Sequence, residues 1–307
     1  APQVGASIGK APIRLNDNAP MSEKLAARIA NGETGKFDAE LFSFIATDFL
    51  NGVQSAFKRS MNHADVRFAY GLQDDAFITA LEMNLFHFSA GKTLAEIQEL
   101  NKAFRESGNF QEFSKKAEQI CGTFNKTWQK TEYETAVLTA ESASNYHRLM
   151  GKTKMFPYWK YVTAGDEKVR EEHRKLDGVI LPANDPRWKK IFPPNGWKCR
   201  CRVVPLMKHE VEGIDINAMR AIVDEYLGTS EWKMNEAQGW DSNRGETAEV
   251  FSKNQHYIRK FPDKAASWVT CIIMITGWSP LERKRRQRPK KHRCLPGIRT
   301  SGGIRIR

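Results

Sequence analysis

The chain has 307 residues, of which 40% are hydrophobic and 10% aromatic, so it can bury a sizeable core and general disorder is excluded. Its net charge of +12 is unevenly spread, because residues 281–307 hold eleven Lys or Arg and one acidic residue, which leaves +2 for the rest. This distribution excludes a uniformly basic DNA-binding surface, and five scattered cysteines exclude a disulfide scaffold.

The first half of the chain has the spacing of apolar residues that is typical of helices. After a Pro- and Asn-rich arm over 1–20, a short helix is predicted over 22–31. Apolar residues then recur every fourth position from Phe37 to Phe57, and a similar pattern covers 74–89. Further helices are predicted from 93 to 107, over 110–128 and over 132–149. These segments predict a helical assembly with short connections.

Two capping-box patterns predict where two of these helices begin. Thr93 is followed three residues later by Glu96, and Thr131 by Glu134. In a capping box the two side chains each satisfy a free backbone amide at a helix N-terminus. We therefore predict helix starts at both threonines.

The second half is predicted to mix short strands and helices. The aromatic run 156–162 and the alternating run 197–204 indicate strands, and a Pro-Pro-Asn-Gly turn over 193–196 precedes the second run. Short helices are predicted over 166–176 and 215–227, whereas 229–263 is mixed. The expected fold class is α+β, with a mainly helical N-terminal part followed by a small α/β domain with short strands. The predicted units are 1–36, 37–150, 151–206, 207–268 and 269–307.

Four polar residues of the predicted helix 166–176 and its end are spaced to lie on one helix face. They are Asp166, Arg170, His173 and Asp177, at offsets of four, seven and eleven. We favour a salt-bridged structural face, because such networks are common without catalysis. The alternative is a histidine oriented by carboxylates for acid–base chemistry.

The predicted strand 197–204 places Cys199 and Cys201 on the same side as Trp197. We favour the interpretation that both cysteines are small buried core residues without a cofactor. One alternative is a zinc site made by Cys199, Cys201 and His173, with His209 as a candidate fourth ligand. A disulfide between the two cysteines is the remaining alternative.

The opposite side of the same predicted strand is basic. Lys198, Arg200 and Arg202 alternate with the cysteines. We favour a solvated strand face, and the alternative is a surface that contacts phosphate groups of a nucleic acid. The sequence contains no nucleotide-binding glycine loop, His-Glu-x-x-His pair or Gly-x-Ser-x-Gly elbow.

Three short motifs follow one another in a fixed order. The first runs from Asp166 to Gly178, with Arg170, His173 and Asp177 inside it. The others are Asn184-Asp185-Pro186-Arg187-Trp188 and Pro193-Pro194-Asn195-Gly196-Trp197-Lys198-Cys199-Arg200-Cys201. In this order they resemble the Mu protein F-like family of phage head morphogenesis proteins, and the resemblance covers about 40–206. We interpret Asp166, Arg170, His173, Asp177, Gly178, Pro194, Gly196 and Trp197 as the structural network of this motif.

The resemblance implies a minor capsid protein of a phage or prophage, present in few copies near the portal and acting in head morphogenesis. It implies a structural protein of the virion with no catalytic residues to carry over. Its partners would be the portal, other head proteins and packaged DNA, with neither a membrane nor a small-molecule substrate. The alternatives are a nuclease or ADP-ribosyltransferase-like effector, and a zinc-dependent nucleic-acid-binding module.

The composition changes abruptly near residue 270. A short apolar run is followed by eleven basic residues without hydrophobic periodicity. We interpret 269–307 as a basic tail that is disordered or produced by a frameshift. The alternative is a polybasic segment that binds DNA or a membrane surface.

Overall fold

The computed structural model describes residues 12–61 and 72–261. Helices dominate the described chain, and three short strands form one antiparallel sheet, so the predicted α+β class is confirmed. The tail 269–307 and the first eleven residues of the predicted arm lie outside the described residues, as does the end of the predicted 207–268 unit.

The N-terminal part contains the predicted amphipathic helices, with somewhat different ends. The expected stripe on the second helix is buried at Leu41, Ile45, Phe49 and Val53. The helices pack these stripes against one another, which is the usual source of helix stability in proteins. The elements are α1 (Met21–Ala30), α2 (Ala39–Met61), α3 (Leu72–Arg105), α4 (Phe110–Gly122), a π-helical turn (Thr123–Trp128) and α5 (Gln129–Met150).

Both predicted capping boxes are wrong. Helix α3 runs without a break through Thr93, whose hydroxyl donates to the Ser89 carbonyl of the preceding turn at 2.8 Å. Thr131 lies inside α5, where its carbonyl accepts the Thr135 hydroxyl at 2.7 Å. The pattern failed because the hydrophobic face continues across each position, so continuing the helix satisfies the backbone amides that a cap would otherwise bind.

Charged groups buried between helices α3 and α5 join the two. The ammonium of Lys92 forms an ion pair with the Glu132 carboxylate, and both side chains are buried. Nearby, the Asn125 amide donates to the buried Glu96 carboxylate at 2.7 Å. Burial lowers the pKa of Lys92 and raises the pKa of Glu132, and it raises the pKa of Glu96 to about 7.

The sheet has β1 (Tyr158–Val162) in the centre, with β2 (Ile180–Pro182) and β3 (Arg202–Leu206) antiparallel on either side. Trp159 pairs with Leu181 on one side and with Pro205 on the other. Trp159 and Tyr161 are fully buried and alternate with half-buried neighbours, as expected for a strand with one face on a core.

The predicted strand over 197–204 is wrong at its N-terminal end, because β3 begins only at Arg202. The preceding backbone is irregular, since Lys198 has a φ of 54° and Gly196 has a φ of 155°. A Cβ on Gly196 would lie 3.1 Å from the Arg170 guanidinium, so the glycine permits a close approach there. Residues 198–201 are therefore not a strand, although Cys199 and Cys201 are buried and Arg200 and Arg202 are exposed, as the alternation predicted.

Short helices surround the sheet. The predicted helix 166–176 is reduced to one turn, whereas the helix predicted over 215–227 is confirmed, with the Asp215 carboxylate capping the amides of Asn217 and Ala218. The remaining elements are α6 (Glu171–Arg174), α7 (Trp188–Ile191), a 3₁₀ turn (Lys208–Val211), α8 (Ile216–Leu227), α9 (Ser230–Ala237), α10 (Arg244–Thr247) and α11 (His256–Lys260).

Two hydrophobic cores organise the described chain. One core lies among α1–α5, and the segment 248–258 returns to it, with Phe251 stacked on Phe88 at 3.8 Å between ring centroids. The other core lies between the sheet and the residues from 176 to 232. The boundaries of the predicted units stay predictions.

Glu96→Gln is expected to make the protein more stable at neutral and alkaline pH. The pKa of Glu96 is raised from 4.5 in the unfolded chain to about 7 in the folded protein. The contribution of the protonated side chain to the free energy of unfolding is therefore complete below pH 4.5 and is lost as the pH rises through about 7. This difference between the two pKa values corresponds to a loss of about 3 kcal/mol at most in the free energy of unfolding. The amide can still accept from Asn125.

Urea unfolding at about pH 5 and about pH 8 measures the effect. The free energy of unfolding should be higher for Glu96→Gln than for the wild type at about pH 8. The difference between the two proteins should be smaller at about pH 5. The exposed Glu118→Gln on α4 is the matched control and should follow the wild type at both values. Equal pH dependence in all three proteins would contradict the burial argument.

Candidate metal centre

His173 lies on the single turn of α6, and its side chain is 2% exposed. One ring nitrogen, Nε2, lies 3.2 Å from the backbone carbonyl oxygen of Asn195. A carbonyl only accepts, so Nε2 carries the proton and donates it. The other nitrogen, Nδ1, is then left with a free lone pair.

The sulfur atoms of Cys199 and Cys201 each lie 3.6 Å from Nδ1 of His173. Both side chains are buried, both cysteines are free, and the three potential ligand atoms lie within 4.8 Å of one another. The disulfide is therefore not formed in this structure. We call His173, Cys199 and Cys201 the thiol–imidazole cluster.

The two thiols of the cluster have unlike acidities. The pKa of Cys199 is lowered, chiefly by the hydrogen bond from the Cys201 thiol, against the effect of burial. The pKa of Cys201 is raised, first by its bond to Cys199 and then by burial. Cys199 is therefore the more acidic of the two thiols.

Asn195 forms several buried hydrogen bonds around the cluster, although the sequence predicted it only as part of a turn. It is fully buried, and its side-chain amide donates to the carbonyls of Lys190 and Trp240 at 3.2 and 3.4 Å. Its side-chain oxygen lies 3.3 Å from the Tyr161 hydroxyl, which donates to it. Asn195 thus joins the central strand, α7 and the chain beyond α9 around the cluster. The signal in the sequence was a polar residue between Pro-Pro and Gly, which is equally typical of an exposed turn.

The predicted one-face stripe is wrong, because each of its four members binds another part of the chain, as described above for His173. Asp166 forms a bidentate ion pair with Arg200 at 2.5 and 2.6 Å, and this bond lowers the pKa of Asp166 to about 2. Arg170 donates to the Trp197 carbonyl at 2.6 Å. Asp177 accepts the Thr163 amide at 2.7 Å. Only one helical turn forms here, so residues eleven apart are not on one helix.

The other residues of the predicted motif network lie in the segments before β2 and before β3. Gly178 has a φ of 82°, Pro194 and Gly196 are buried, and Trp197 packs edge-to-face on Trp240 at 5.3 Å. The network is therefore distributed over several segments. Its functional importance stays a prediction.

The predicted basic face is largely neutralised within the chain. Lys198 forms an ion pair with Glu134 at 2.8 Å, and Arg200 forms the bidentate pair with Asp166. Arg202 is exposed at the start of β3. His209, the candidate fourth zinc ligand, lies exposed in the 3₁₀ turn outside the thiol–imidazole cluster.

Comparison with known families bears on this region directly. Residues 97–204 match the model of the family described as Phage Mu protein F like protein. The predicted family resemblance is confirmed. The match to this Mu F-like family includes all three residues of the cluster, but it begins well after residue 40, where we had expected the resemblance to start.

Two curated relatives align with the chain over similar lengths. The Mu-like prophage FluMu F protein of Haemophilus influenzae is 36% identical over 154 residues, which cover 43% of this chain and 36% of that protein. The putative capsid assembly protein F of Escherichia phage Mu is 30% identical over 152 residues, covering 42% and 34%. The aligned part therefore spans about a third of each Mu F-like relative.

A shorter match also exists outside phages. An uncharacterized protein of Methanocaldococcus jannaschii is 49% identical over 47 residues, which cover 15% of this chain and 7% of that protein. No solved structure shows a significant match to the chain.

Replacing Asn195 with Ala is expected to destabilise the protein by about 2–4 kcal/mol, because two carbonyls and the Tyr161 hydroxyl lose a buried partner. Asp166→Ala, which breaks an exposed ion pair, should leave the midpoint of urea unfolding unchanged. A cooperative urea titration of both variants makes the comparison. If Asp166→Ala were the more damaging change, Asn195 would not be the central residue.

Proposed function

We propose that the chain acts in bacteriophage or prophage head morphogenesis as a minor head protein. The observation that carries this proposal is the Mu F-like match over residues 97–204, together with the 30% identity to a phage Mu protein named as a putative capsid assembly protein. The matched region includes the end of α3, α4, α5 and the sheet.

We further propose that the role is structural. Both ring nitrogens of His173 face protein atoms, and the ring is enclosed, so a substrate could not reach this histidine without local opening. A cavity of about 730 Å³ lies between the helices and α11, but its lining includes Phe124, Trp128 and Tyr257 and none of the cluster residues. These features argue against the effector alternatives centred on Arg170 and His173.

The proposed partners are other phage head proteins, with the portal as the first candidate, and the proposed location is the virion head. Packaged DNA is a weaker candidate for the described part of the chain, because Lys198 and Arg200 are paired with carboxylates. Within residues 12–61 and 72–261, no helix is long and apolar enough to cross a bilayer.

Deletion of the gene from the encoding phage or prophage tests the proposal. We expect the yield of DNA-filled heads to fall steeply, because the proposed role is in forming the head. Supplying the full chain in trans should restore it. Negative-stain microscopy and packaged-DNA assays measure the yield.

The location of the protein is tested on the same particles. Quantitative mass spectrometry of purified heads should find the chain at far lower copy number than the major capsid protein, and chemical cross-linking should join it to the portal. DNA-filled heads formed at wild-type yield without the chain would overturn the proposal. Heads that require the chain but do not contain it would overturn the assignment as a head component.

A further inference from the structure

We propose that His173, Cys199 and Cys201 together bind one zinc ion. The site is independent of the proposed role in head assembly, because it is argued from the geometry of the cluster alone. Zinc prefers sulfur and imidazole nitrogen ligands in tetrahedral arrangement, and the cluster offers two sulfurs and one such nitrogen.

The distances within the cluster fit the edges of a zinc tetrahedron. With Zn–S bonds of about 2.3 Å and a Zn–N bond of about 2.0 Å, tetrahedral angles place each sulfur about 3.5 Å from the nitrogen. The two Sγ–Nδ1 distances are both 3.6 Å. Both sulfur–nitrogen edges therefore match a zinc tetrahedron, and the two sulfurs lie within 4.8 Å of each other.

A hydrogen bond from the ring nitrogen that faces away from the sulfurs holds His173 in place, as is usual for histidines that bind zinc. Its Nε2–H donates to the Asn195 carbonyl, which fixes the ring and leaves the Nδ1 lone pair directed at the two sulfurs. A backbone carbonyl in this position is a common support for an imidazole ligand, because it sets the tautomer and raises the basicity of the other nitrogen.

A metal-free hydrogen bond accounts for only part of this geometry. The single lone pair of Nδ1 can accept one thiol proton, yet two sulfurs lie at the same distance from it. A zinc ion between the three atoms uses both sulfurs equivalently. Binding releases two protons, because Zn²⁺, two thiols and a neutral imidazole give the bound dithiolate–imidazole complex and two H⁺.

Within residues 12–61 and 72–261, three side chains lie close enough to share an ion, and we assign the fourth ligand to a water molecule. The Tyr161 hydroxyl, whose proton goes to the Asn195 side-chain oxygen, lies beside Cys201 at the edge of the cluster. Tyr161 is buried on the central strand β1. A zinc ion at this point would join α6, the irregular segment before β3 and the sheet.

Zinc content of the purified full chain is the first test. Protein expressed with added zinc and purified under reducing conditions without chelator should contain about one zinc per chain by elemental analysis, as expected for a buried site of this kind. A chromophoric chelator should extract it only slowly, and removal should lower the melting temperature. Wild-type protein that stays metal-free, or that carries a different metal at one per chain, overturns the proposal.

Matched cysteine variants locate the ion. Cys199→Ser and Cys201→Ser should each lower zinc content at least about tenfold, whereas Cys121→Ser, at a buried free cysteine among the helices, should retain it. If the cluster variants fail to fold, cobalt(II) added to metal-stripped wild type and Cys121→Ser gives the second readout. Thiolate-to-cobalt charge-transfer absorption in both is expected, and its absence overturns the assignment to the two cysteines.

Discussion

The contact between the buried His173 ring and the Asn195 carbonyl joins two stretches of chain that have little regular secondary structure. Between Val162 and Arg202, the chain forms only α6, β2 and α7, of three or four residues each. Elements this short contribute few backbone hydrogen bonds, so side chains must hold the backbone in place. Inside the protein, the backbone is held by the thiol–imidazole cluster and Asn195. At the surface, it is contacted by Arg170, and Asp166 pairs with Arg200.

The helical part provides the support for this region. The hydroxyl of Thr135, on α5, accepts the backbone amide of Lys198 at 3.0 Å, and so fixes the segment that carries both cysteines. Helix α5 is in turn joined to α3 by the buried pair of Lys92 and Glu132. A buried ion pair of this kind specifies how two helices pack more than it stabilises them. The family match includes the end of α3, all of α5 and the whole cluster, so Glu132 and Thr135 lie within the matched part of the chain, whereas Lys92 precedes it.

The helices and the fold class could be predicted from the sequence because their signal is local. Apolar residues spaced every fourth position can form one buried face only in a helix, and α2 buries the expected stripe. The capping boxes at Thr93 and Thr131 were wrong for a related reason, since tertiary packing on both sides of each threonine favoured a continuous helix.

The candidate site was harder to predict because it depends on contacts between distant residues. The sequence brought Cys199 and Cys201 to one side through a strand that does not extend that far, since β3 begins at Arg202 and the preceding backbone is irregular at Lys198. The role of Asn195 depends on two distant partners, Tyr161 and Trp240, and no local sequence pattern predicts those contacts. The pairing of Asp166 with Arg200 likewise spans 34 residues.

The zinc K-edge X-ray absorption spectrum of the purified full chain tests the central claim most directly, because it reports which atoms surround the ion. The account predicts two sulfur scatterers at about 2.3 Å and nitrogen or oxygen scatterers at about 2.0 Å. A spectrum with only nitrogen and oxygen around the zinc would mean that the ion sits elsewhere on the protein. That result would contradict the claim that a metal joins His173 to the two cysteines.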